Sequence, residues 1–179
     1  RLLVCLFVNA GKIERQVFMP GLVLEGGTFR PVFSCGVMDA LLDNGILFDY
    51  VIGVSAGITY AASYLSRQRE RNLNVLRRYR GDKRYLGARN LLHDHSIFGT
   101  DFVFDTIPNQ LLPFDWDTFH SYQGKYLVGV TNAKTGKAEY LDGMRMDRPC
   151  TMLRATCAIP IYFPPVQMGG ETYYDGGLA

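Results

Sequence analysis

The sequence predicts an α/β domain in which helices cover a mostly parallel β-sheet. Residues 21–25 (GLVLE) and 50–54 (YVIGV) are short apolar runs with the length and composition of buried strands. Each run is followed by small residues and then by a segment whose apolar positions have helical spacing. Because strands that alternate with helices favour crossovers between parallel strands, this order indicates the α/β class.

The other elements follow from local patterns along the chain. Apolar residues at helical spacing predict a helix over 32–43, which ends at Asn44 and Gly45. A second helix is expected from the turn at Ser55 to about Ser66. We find no internal repeat and no linker, and we expect one domain. The remaining predicted elements are a short helix within 100–112, a strand at 125–132, its return strand at 137–141, a buried helix at 150–158 and a strand at 171–174.

The composition is that of an ordinary globular domain. Of the 179 residues, 47% are apolar and 20% are charged, and the formal net charge of +2 gives no reason to expect a nucleic acid partner. The cysteines form no C-x-x-C pair and no Cys/His group with zinc spacing. We therefore expect free thiols, no bound metal and a cytoplasmic protein. These cysteines are Cys5, Cys35, Cys150 and Cys157.

The two ends of the sequence lead us to assign the domain to residues 20–179. The apolar run at 2–8 is far shorter than the roughly 20 residues that span a bilayer. No small-residue cleavage site follows it closely, so we expect residues 1–19 to be an extension outside the domain, with Met19 as the natural start. Because the chain stops directly after a motif that we interpret as catalytic, we expect the natural protein to continue beyond Ala179.

The strongest functional motif is residues 53–57 (GVSAG), which has the form G-x-S-x-G between a strand and a helix. In such a nucleophile elbow a strained turn pushes the serine hydroxyl outward, and Gly53 and Gly57 leave room for neighbouring backbone. The helix that starts here also favours negative charge at Ser55 through its dipole. We interpret Ser55 as a nucleophile. The competing interpretation is a glycine-rich loop with an incidental serine.

A second motif, Gly26-Gly27, follows the first strand and precedes a helix. Small residues at this point let a substrate approach backbone N–H groups, which stabilise the oxyanion of acyl transfer. Arg30 is expected to anchor the loop or to favour anionic substrates. The loop has neither the G-x-G-x-x-G fingerprint of dinucleotide-binding folds nor the G-K-[ST] of a P-loop. On its own it also fits a plain turn or a phosphate-binding loop.

A nucleophilic serine needs a base within hydrogen-bond reach. His93 and His95 lie in a short polar loop and His120 in an aromatic stretch, and we interpret all three as structural or solvated residues. Asp175 is the better candidate, because it follows a predicted strand and precedes two glycines that allow a tight turn. Catalytic groups of open α/β sheets collect at such strand ends. A D-G-G turn without a function is the alternative.

Taken together, these motifs resemble the patatin-like phospholipases, and most closely the bacterial branch of that family. The family pattern is G-G-G-x-[RK]-G after the first strand, then G-x-S-x-G, and much later D-G-[GA]. Here residues 26–31 (GGTFRP), 53–57 (GVSAG) and 175–177 (DGG) stand in that order. Residues 155–165 (ATCAIPIYFPP) look like the small-residue helix and proline turn that precede the aspartate strand in the family. The resemblance covers about residues 20–179.

The resemblance implies a three-layer α/β/α fold with a central, mostly parallel sheet. It also implies a catalytic dyad of Ser55 and Asp175 without a histidine, and an oxyanion hole formed by the N–H groups of Gly26, Gly27 and Thr28. The implied activity is hydrolysis of the acyl esters of lipids or phospholipids, with no cofactor and no metal. Residues expected to support this site are Arg30, Gly53, Gly57 and Gly176.

Two positions depart from the family pattern, and they favour a second interpretation. Thr28 stands where the family has its third glycine, and Pro31 where it has the glycine after Arg30. Threonine resists unusual backbone angles and proline has no N–H, so a catalytically silent lipid-binding or regulatory protein is an alternative. A further alternative is an esterase of the α/β-hydrolase type with a Ser-His-Asp triad. The motif order argues against it, because Asp175 follows every histidine.

The segment 67–89 is strongly basic, with nine Lys or Arg residues against two carboxylates. Such cations attract anionic lipid headgroups, and Tyr79, Tyr85 and Leu86 would then dip into the interface. A solvated helix face, paired with carboxylates elsewhere, is the competing interpretation. We therefore expect a lipid or acyl-ester substrate, and we hypothesise peripheral contact with an anionic membrane surface.

Overall fold

The computed structural model describes residues 2–7 and 19–179, and in this part of the chain one mixed sheet is flanked by helices. Its strands are β1 (Leu2–Phe7), β2 (Met19–Leu24), β3 (Tyr50–Val54), β4 (Lys125–Asn132), β5 (Ala138–Asp142), β6 (Val166–Met168) and β7 (Glu171–Asp175). Its α-helices are α1 (Val32–Asp43), α2 (Ser55–Leu65), α3 (Arg71–Tyr79), α4 (Asn90–His93), α5 (Trp116–His120) and α6 (Thr151–Thr156). A π-type helix spans Phe102–Leu111, and a 3₁₀ turn spans Gly143–Arg145.

The predicted α/β class is confirmed, with the parallel arrangement confined to the centre of the sheet. Strands β2, β3 and β4 run parallel, whereas β1, β5, β6 and β7 join their described neighbours antiparallel. Helix α1 and strands β3 and β4 have the predicted limits. Strand β6 was not predicted. The short helix expected within 100–112 is the π-type helix Phe102–Leu111, which contains Pro108.

Strands β3 and β7 meet end to end along one edge of β4. Gly129 of β4 pairs with Val54 of β3, and the next residue, Val130, pairs with Asp175 of β7. Both β4 residues also pair with β5. Since a strand has only two edges, β3 and β7 must share the edge opposite β5. The chain therefore leaves both strands, from opposite directions, at the same point of the sheet.

Close contact between the turn after β3 and the end of β2 fixes helix α2 on the sheet. A Cβ atom at Gly53 would collide with the carbonyl oxygen of Leu24, and one at Gly57 would collide with that of Glu25. Both positions therefore have to be glycine. Helix α2 packs on β3 and against α1 and α6, and the hydroxyl of buried Tyr126 donates a hydrogen bond of 2.7 Å to the carbonyl oxygen of Ile58.

The main hydrophobic core lies between this sheet and the helices packed on it. Its fully buried members come from the three parallel strands and from helices α2, α5 and α6. This core holds the ends of the parallel strands in fixed positions, which is the precondition for a preorganised site. The members with no solvent exposure include Leu22, Val51, Ile58, Ala61, Phe119, Tyr126, Val128 and Val130.

Strand β1 pairs antiparallel with β2 and forms one edge of the sheet. Residue 1 and residues 8–18 lie outside the described part of the chain. The predicted start at Met19 and the predicted limits of the domain, 20–179, stay predictions. Cys35, Cys150 and Cys157 are free thiols, whereas the side chain of Cys5 lies outside what the structure describes.

The glycine requirement gives a test with a control in the neighbouring helix. We expect Gly57→Ala to lower the free energy of unfolding by about 1–3 kcal/mol, because its methyl group would overlap the Glu25 carbonyl. Gly36 in α1 has open space where a Cβ would lie, so Gly36→Ala should raise the same quantity by about 0.5–1 kcal/mol. Urea unfolding of both variants checks this, and equal effects would contradict the close contact.

Candidate active site

Ser55 occupies a strained turn at the junction of β3 and α2. The preceding residue, Val54, is extended, whereas Ser55 has a φ of 53°, which is in the left-handed region. A non-glycine residue adopts this conformation at a cost, and such strain is common at functional turns. The side chain of Ser55 is buried and lines a cavity. The sequence prediction of an elbow at this serine therefore has its expected backbone geometry.

A buried threonine holds this turn in place. The backbone N–H of Ser55 donates a 2.8 Å hydrogen bond to the hydroxyl oxygen of Thr156, and that hydroxyl donates a 2.5 Å bond to the carbonyl oxygen of Gly129. Thr156 has no exposed surface, so water does not compete for either bond. One side chain thus ties the Ser55 turn to β4. Sequence reasoning noted the small-residue segment but missed this role, which depends on a contact between distant parts of the chain.

Asp175 ends β7 and is fixed from three sides. Its N–H donates to the carbonyl oxygen of Ala158 at 3.0 Å, and its carbonyl oxygen accepts from the hydroxyl of Thr131 at 2.8 Å. Its Oδ1 atom accepts from the N–H of Gly177 at 2.8 Å. Gly176, between Asp175 and Gly177, is buried, and a Cβ there would collide with the carbonyl oxygen of Gly129. The D-G-G sequence therefore orients the carboxylate and allows the close approach to β4.

The environment of Asp175 raises the pKa of its carboxyl group. Burial is the main cause, and hydrogen bonding by the Gly177 N–H and the Ser55 hydroxyl acts in the opposite direction. Oδ2 is buried and has no hydrogen-bond partner within the usual distance among the described residues. The Ser55 hydroxyl is near enough to this carboxyl group to favour its charged form, although the two side chains make no hydrogen bond within the usual distance. In unliganded sites, catalytic hydrogen bonds are often long and shorten only when substrate is bound.

The loop after β2 presents unpaired N–H groups beside Ser55. A Cβ at Gly26 would lie 2.8 Å from the Cβ of Ser55, so only glycine fits this close to the serine. Gly27 and Thr28 have φ values of 132° and 54°. Within the described part of the chain, the N–H groups of Gly26, Gly27 and Thr28 donate no hydrogen bonds. The N–H of Ala56 lies in the first turn of α2, where it has no partner within the helix.

The two departures from the motif are accommodated by this loop. Thr28 takes the left-handed conformation despite its branched side chain, and it keeps its N–H. The N–H of Arg30 donates to the carbonyl oxygen of Gly27 at 2.9 Å, and the Arg30 guanidinium lies directly over Gly27. Pro31 precedes the first residue of α1 with a φ of −65°, where a missing N–H leaves no helical bond unmade. The Arg30 side chain therefore lies against the loop, and its predicted role as an anchor stays a prediction.

A mostly apolar cavity of about 150 Å³ opens beside Ser55. Thr28 and Ser55 lie on its wall, whereas Gly26, Gly27 and Asp175 do not line it. Burial raises the pKa of the Cys157 thiol, which contacts Thr59, to about 12, so this sulfur stays protonated. The aromatic and aliphatic lining favours a hydrocarbon group. This lining includes Phe29, Tyr60, Val75, Phe98, Phe104, Ile107, Phe114 and Phe163.

The three histidines are exposed, and none of them lines this cavity. His120 stacks on Trp116 with ring centroids 5.8 Å apart, as expected for a structural residue. Among the described residues, no group of three or more His, Cys, Asp and Glu side chains is placed to hold a metal ion.

The basic segment is divided between paired and exposed cations. Arg69 pairs with Asp43 and Glu70, and Arg84 pairs with Asp82. Arg71 lines the cavity, where burial lowers its pKa to about 10, and it donates to the carbonyl oxygen of Leu112 at 2.8 Å.

The hypothesis that Tyr79 and Tyr85 dip into a membrane interface needs correction. Tyr85 is buried in a second hydrophobic cluster, and Tyr79 packs edge-on against Phe102 of that cluster. Only Leu86 of the three is exposed. In residues 2–7 and 19–179, none of the helices combines the length and the hydropathy needed to cross a bilayer.

Comparison with known proteins supports the resemblance drawn from the motifs. A family model described as patatin-like phospholipase matches residues 22–179. The chain is also similar to the uncharacterized protein YjjU of Escherichia coli (strain K12), with 25% identity over 180 residues. The alignment covers 96% of this chain and 50% of YjjU, so the chain spans about half the length of this curated relative.

The buried carboxylate predicts an unusual effect on stability. Because burial raises the pKa of Asp175, its charged form destabilises the fold at neutral pH. We expect Asp175→Asn, whose amide oxygen still accepts from Gly177, to raise the free energy of unfolding by about 1 kcal/mol. The gain should shrink as the pH falls through the raised pKa, because wild-type Asp175 then becomes neutral.

Thermal unfolding between acidic and neutral pH measures this difference. Asp49 is exposed, so Asp49→Asn serves as the control and should change the melting temperature little at any pH. A melting temperature of Asp175→Asn below that of the wild type at neutral pH would contradict a destabilising buried charge.

Proposed function

We propose that this chain, which belongs to the patatin-like phospholipase family of lipid acyl hydrolases, cleaves carboxylic esters of lipids with Ser55 as nucleophile and Asp175 as base. The observation that supports this most is the end-to-end meeting of β3 and β7 on β4. It brings together a serine in a strained turn and a buried carboxylate with one unpaired oxygen. The match to the family covers both residues.

In the proposed acylation step, Oγ of Ser55 attacks the ester carbonyl carbon while its proton passes to the carboxylate of Asp175. A raised pKa makes this carboxylate a stronger base than an exposed aspartate. The carbonyl oxygen gains negative charge, which the N–H groups of the Gly26–Thr28 loop and of Ala56 stabilise. The tetrahedral intermediate then collapses, and the protonated Asp175 returns the proton to the alcohol that leaves.

The second step reverses the roles with water as the nucleophile. Asp175 removes a proton from water, and the resulting hydroxide attacks the carbonyl carbon of the acyl-serine. Collapse of the second tetrahedral intermediate breaks the bond to Oγ, and Asp175 reprotonates the serine. The products are a carboxylic acid and the regenerated enzyme. No step needs a histidine, a metal or a cofactor.

The cavity supports a lipid acyl chain as the group next to the scissile bond. Its lining is mostly aromatic and aliphatic, which favours a hydrocarbon chain over a strongly polar acyl group. Reduced Cys35, Cys150 and Cys157 support a reducing compartment such as the cytoplasm. The proposal is compatible with phospholipids, lysophospholipids and neutral esters.

The alternative of a silent lipid-binding protein rested on Thr28 and Pro31. Thr28 retains an N–H that makes no hydrogen bond in the described chain, and Pro31 sits where a helix needs no N–H. The N–H groups of Gly26, Gly27 and Thr28 are all retained, and the N–H missing at Pro31 lies outside this group of donors. The geometry therefore favours an enzyme over a silent relative.

Steady-state hydrolysis of p-nitrophenyl esters with short and long acyl chains tests the proposal. Ser55→Ala and Asp175→Asn should each lower kcat/KM by at least about 10³-fold, because each removes one member of a unit that acts together. The triple variant of His93, His95 and His120 to Gln is the control and should keep wild-type activity. Loss of activity in this triple variant, with activity retained in Asp175→Asn, would instead support a histidine base.

A further inference from the structure

Several large apolar side chains are exposed in segments that adjoin residues lining the cavity. We call this set the apolar rim. A solvent-exposed cluster of this kind usually marks a surface that contacts an apolar phase or a partner. The rim consists of Ile161, Leu92, Phe33, Tyr162 and Leu86, which are 97%, 79%, 74%, 55% and 37% exposed.

The rim adjoins three aromatic residues that contact one another and line the cavity. Phe98 lies between Phe29 and Phe163, with ring centroids 6.2 and 5.2 Å apart. Leu86 pairs with Phe98 in a β-bridge, and Ile161 and Tyr162 directly precede Phe163. Phe33 lies in the first turn of α1, four residues after Phe29, and Leu92 lies in the short helix α4 between Leu86 and Phe98. The rim therefore borders the aromatic end of the lipid cavity.

Ile161 is held outward by a strained turn. Its φ is 75°, a conformation that branched side chains rarely adopt, and it is almost fully exposed. The turn is closed by bonds from the N–H groups of Tyr162 and Phe163 to the carbonyl oxygen of Ile159, at 3.2 and 2.9 Å. Both the strain and the exposed isoleucine oppose stability in water. Burial in an apolar phase would offset this cost.

The charges next to the rim are mainly positive. Residues 80–94 contain four cations, which are Arg80, Lys83, Arg84 and Arg89, against the two carboxylates Asp82 and Asp94. The guanidinium of Arg80 lies over the ring of Phe29, 5.7 Å from its centroid, and all four cations are exposed. An apolar patch bordered by exposed arginine and lysine matches a surface that combines hydrocarbon with negative charge.

We propose that the apolar rim docks this protein on the surface of an anionic lipid bilayer. Ile161, Leu92 and Phe33 enter the boundary between headgroups and acyl chains, while Arg80, Lys83 and Arg89 contact anionic headgroups. The aromatic end of the cavity then faces the bilayer, and a lipid reaches Ser55 without crossing water. The delivery of lipid to Ser55 rests on the proposed function, whereas the docking itself needs no catalysis.

Binding to vesicles tests the docking with variants that keep the fold. Asn tolerates the left-handed conformation, so Ile161→Asn removes the apolar group without adding strain. Combined with Leu92→Asn, it should lower the partition coefficient onto vesicles of phosphatidylcholine and phosphatidylglycerol by about tenfold or more. Ile46 is an exposed isoleucine before β3, at the opposite end of the parallel strands, so Ile46→Asn should bind as the wild type does.

Lipid composition and salt test the charge contribution in the same assay. Wild-type binding should weaken when phosphatidylglycerol is omitted and when the salt concentration is raised, because exposed charges are screened. Equal binding of the double variant and the wild type would overturn the proposal. So would binding that is independent of anionic lipid.

The catalytic proposal and the docking proposal fail in different ways. Ser55→Ala should bind vesicles as the wild type does, so docking is measurable even if no ester is cleaved. The double variant should keep wild-type hydrolysis of a water-soluble p-nitrophenyl ester and lose activity on vesicle lipids.

Sedimentation velocity tests whether a second copy of the chain, rather than a bilayer, covers the apolar rim. A wild-type dimer that the double variant converts to a monomer, without a change in vesicle binding, would overturn the proposal in favour of an interface between copies.

Discussion

The site depends on one topological constraint, which is that β3 and β7 end against each other on a single edge of β4. Gly129 and Val130 are consecutive residues, yet they pair with the ends of two strands that arrive from opposite directions. The residue after β3 is Ser55, and the last residue of β7 is Asp175. Their proximity is therefore a property of backbone pairing, which is far stiffer than side-chain rotamers on mobile loops.

Glycines and one buried hydroxyl make this arrangement sterically feasible. Gly53 and Gly57 let the turn approach β2, and Gly176 lets the chain after Asp175 approach Gly129. The Thr156 hydroxyl then joins the strained Ser55 turn to the same Gly129. Strain at Ser55 and desolvation of Asp175 both lower the free energy of unfolding. The packing of the surrounding core offsets this loss, as is usual for preorganised sites.

Local patterns were sufficient to predict the Ser55 turn, α1 and β4, because their signals lie within a few residues of sequence. The same patterns pointed to Asp175 as the residue after a strand. They could not show that β7 runs antiparallel on the edge used by β3, since strand pairing depends on contacts between distant segments. The sequence of the basic segment had suggested that Tyr85 is exposed, but tertiary packing buries it. The hydrogen bond from the Ser55 N–H to Thr156 also depends on tertiary packing, because it joins distant parts of the chain.

The central claim, that Ser55 is a nucleophile activated by Asp175, is tested most directly by intact-mass analysis after treatment with a fluorophosphonate probe. We predict one adduct on the wild type, none on Ser55→Ala and much slower labelling of Asp175→Asn. An adduct that persists on Ser55→Ala, or a folded wild type that takes up no probe, would contradict it.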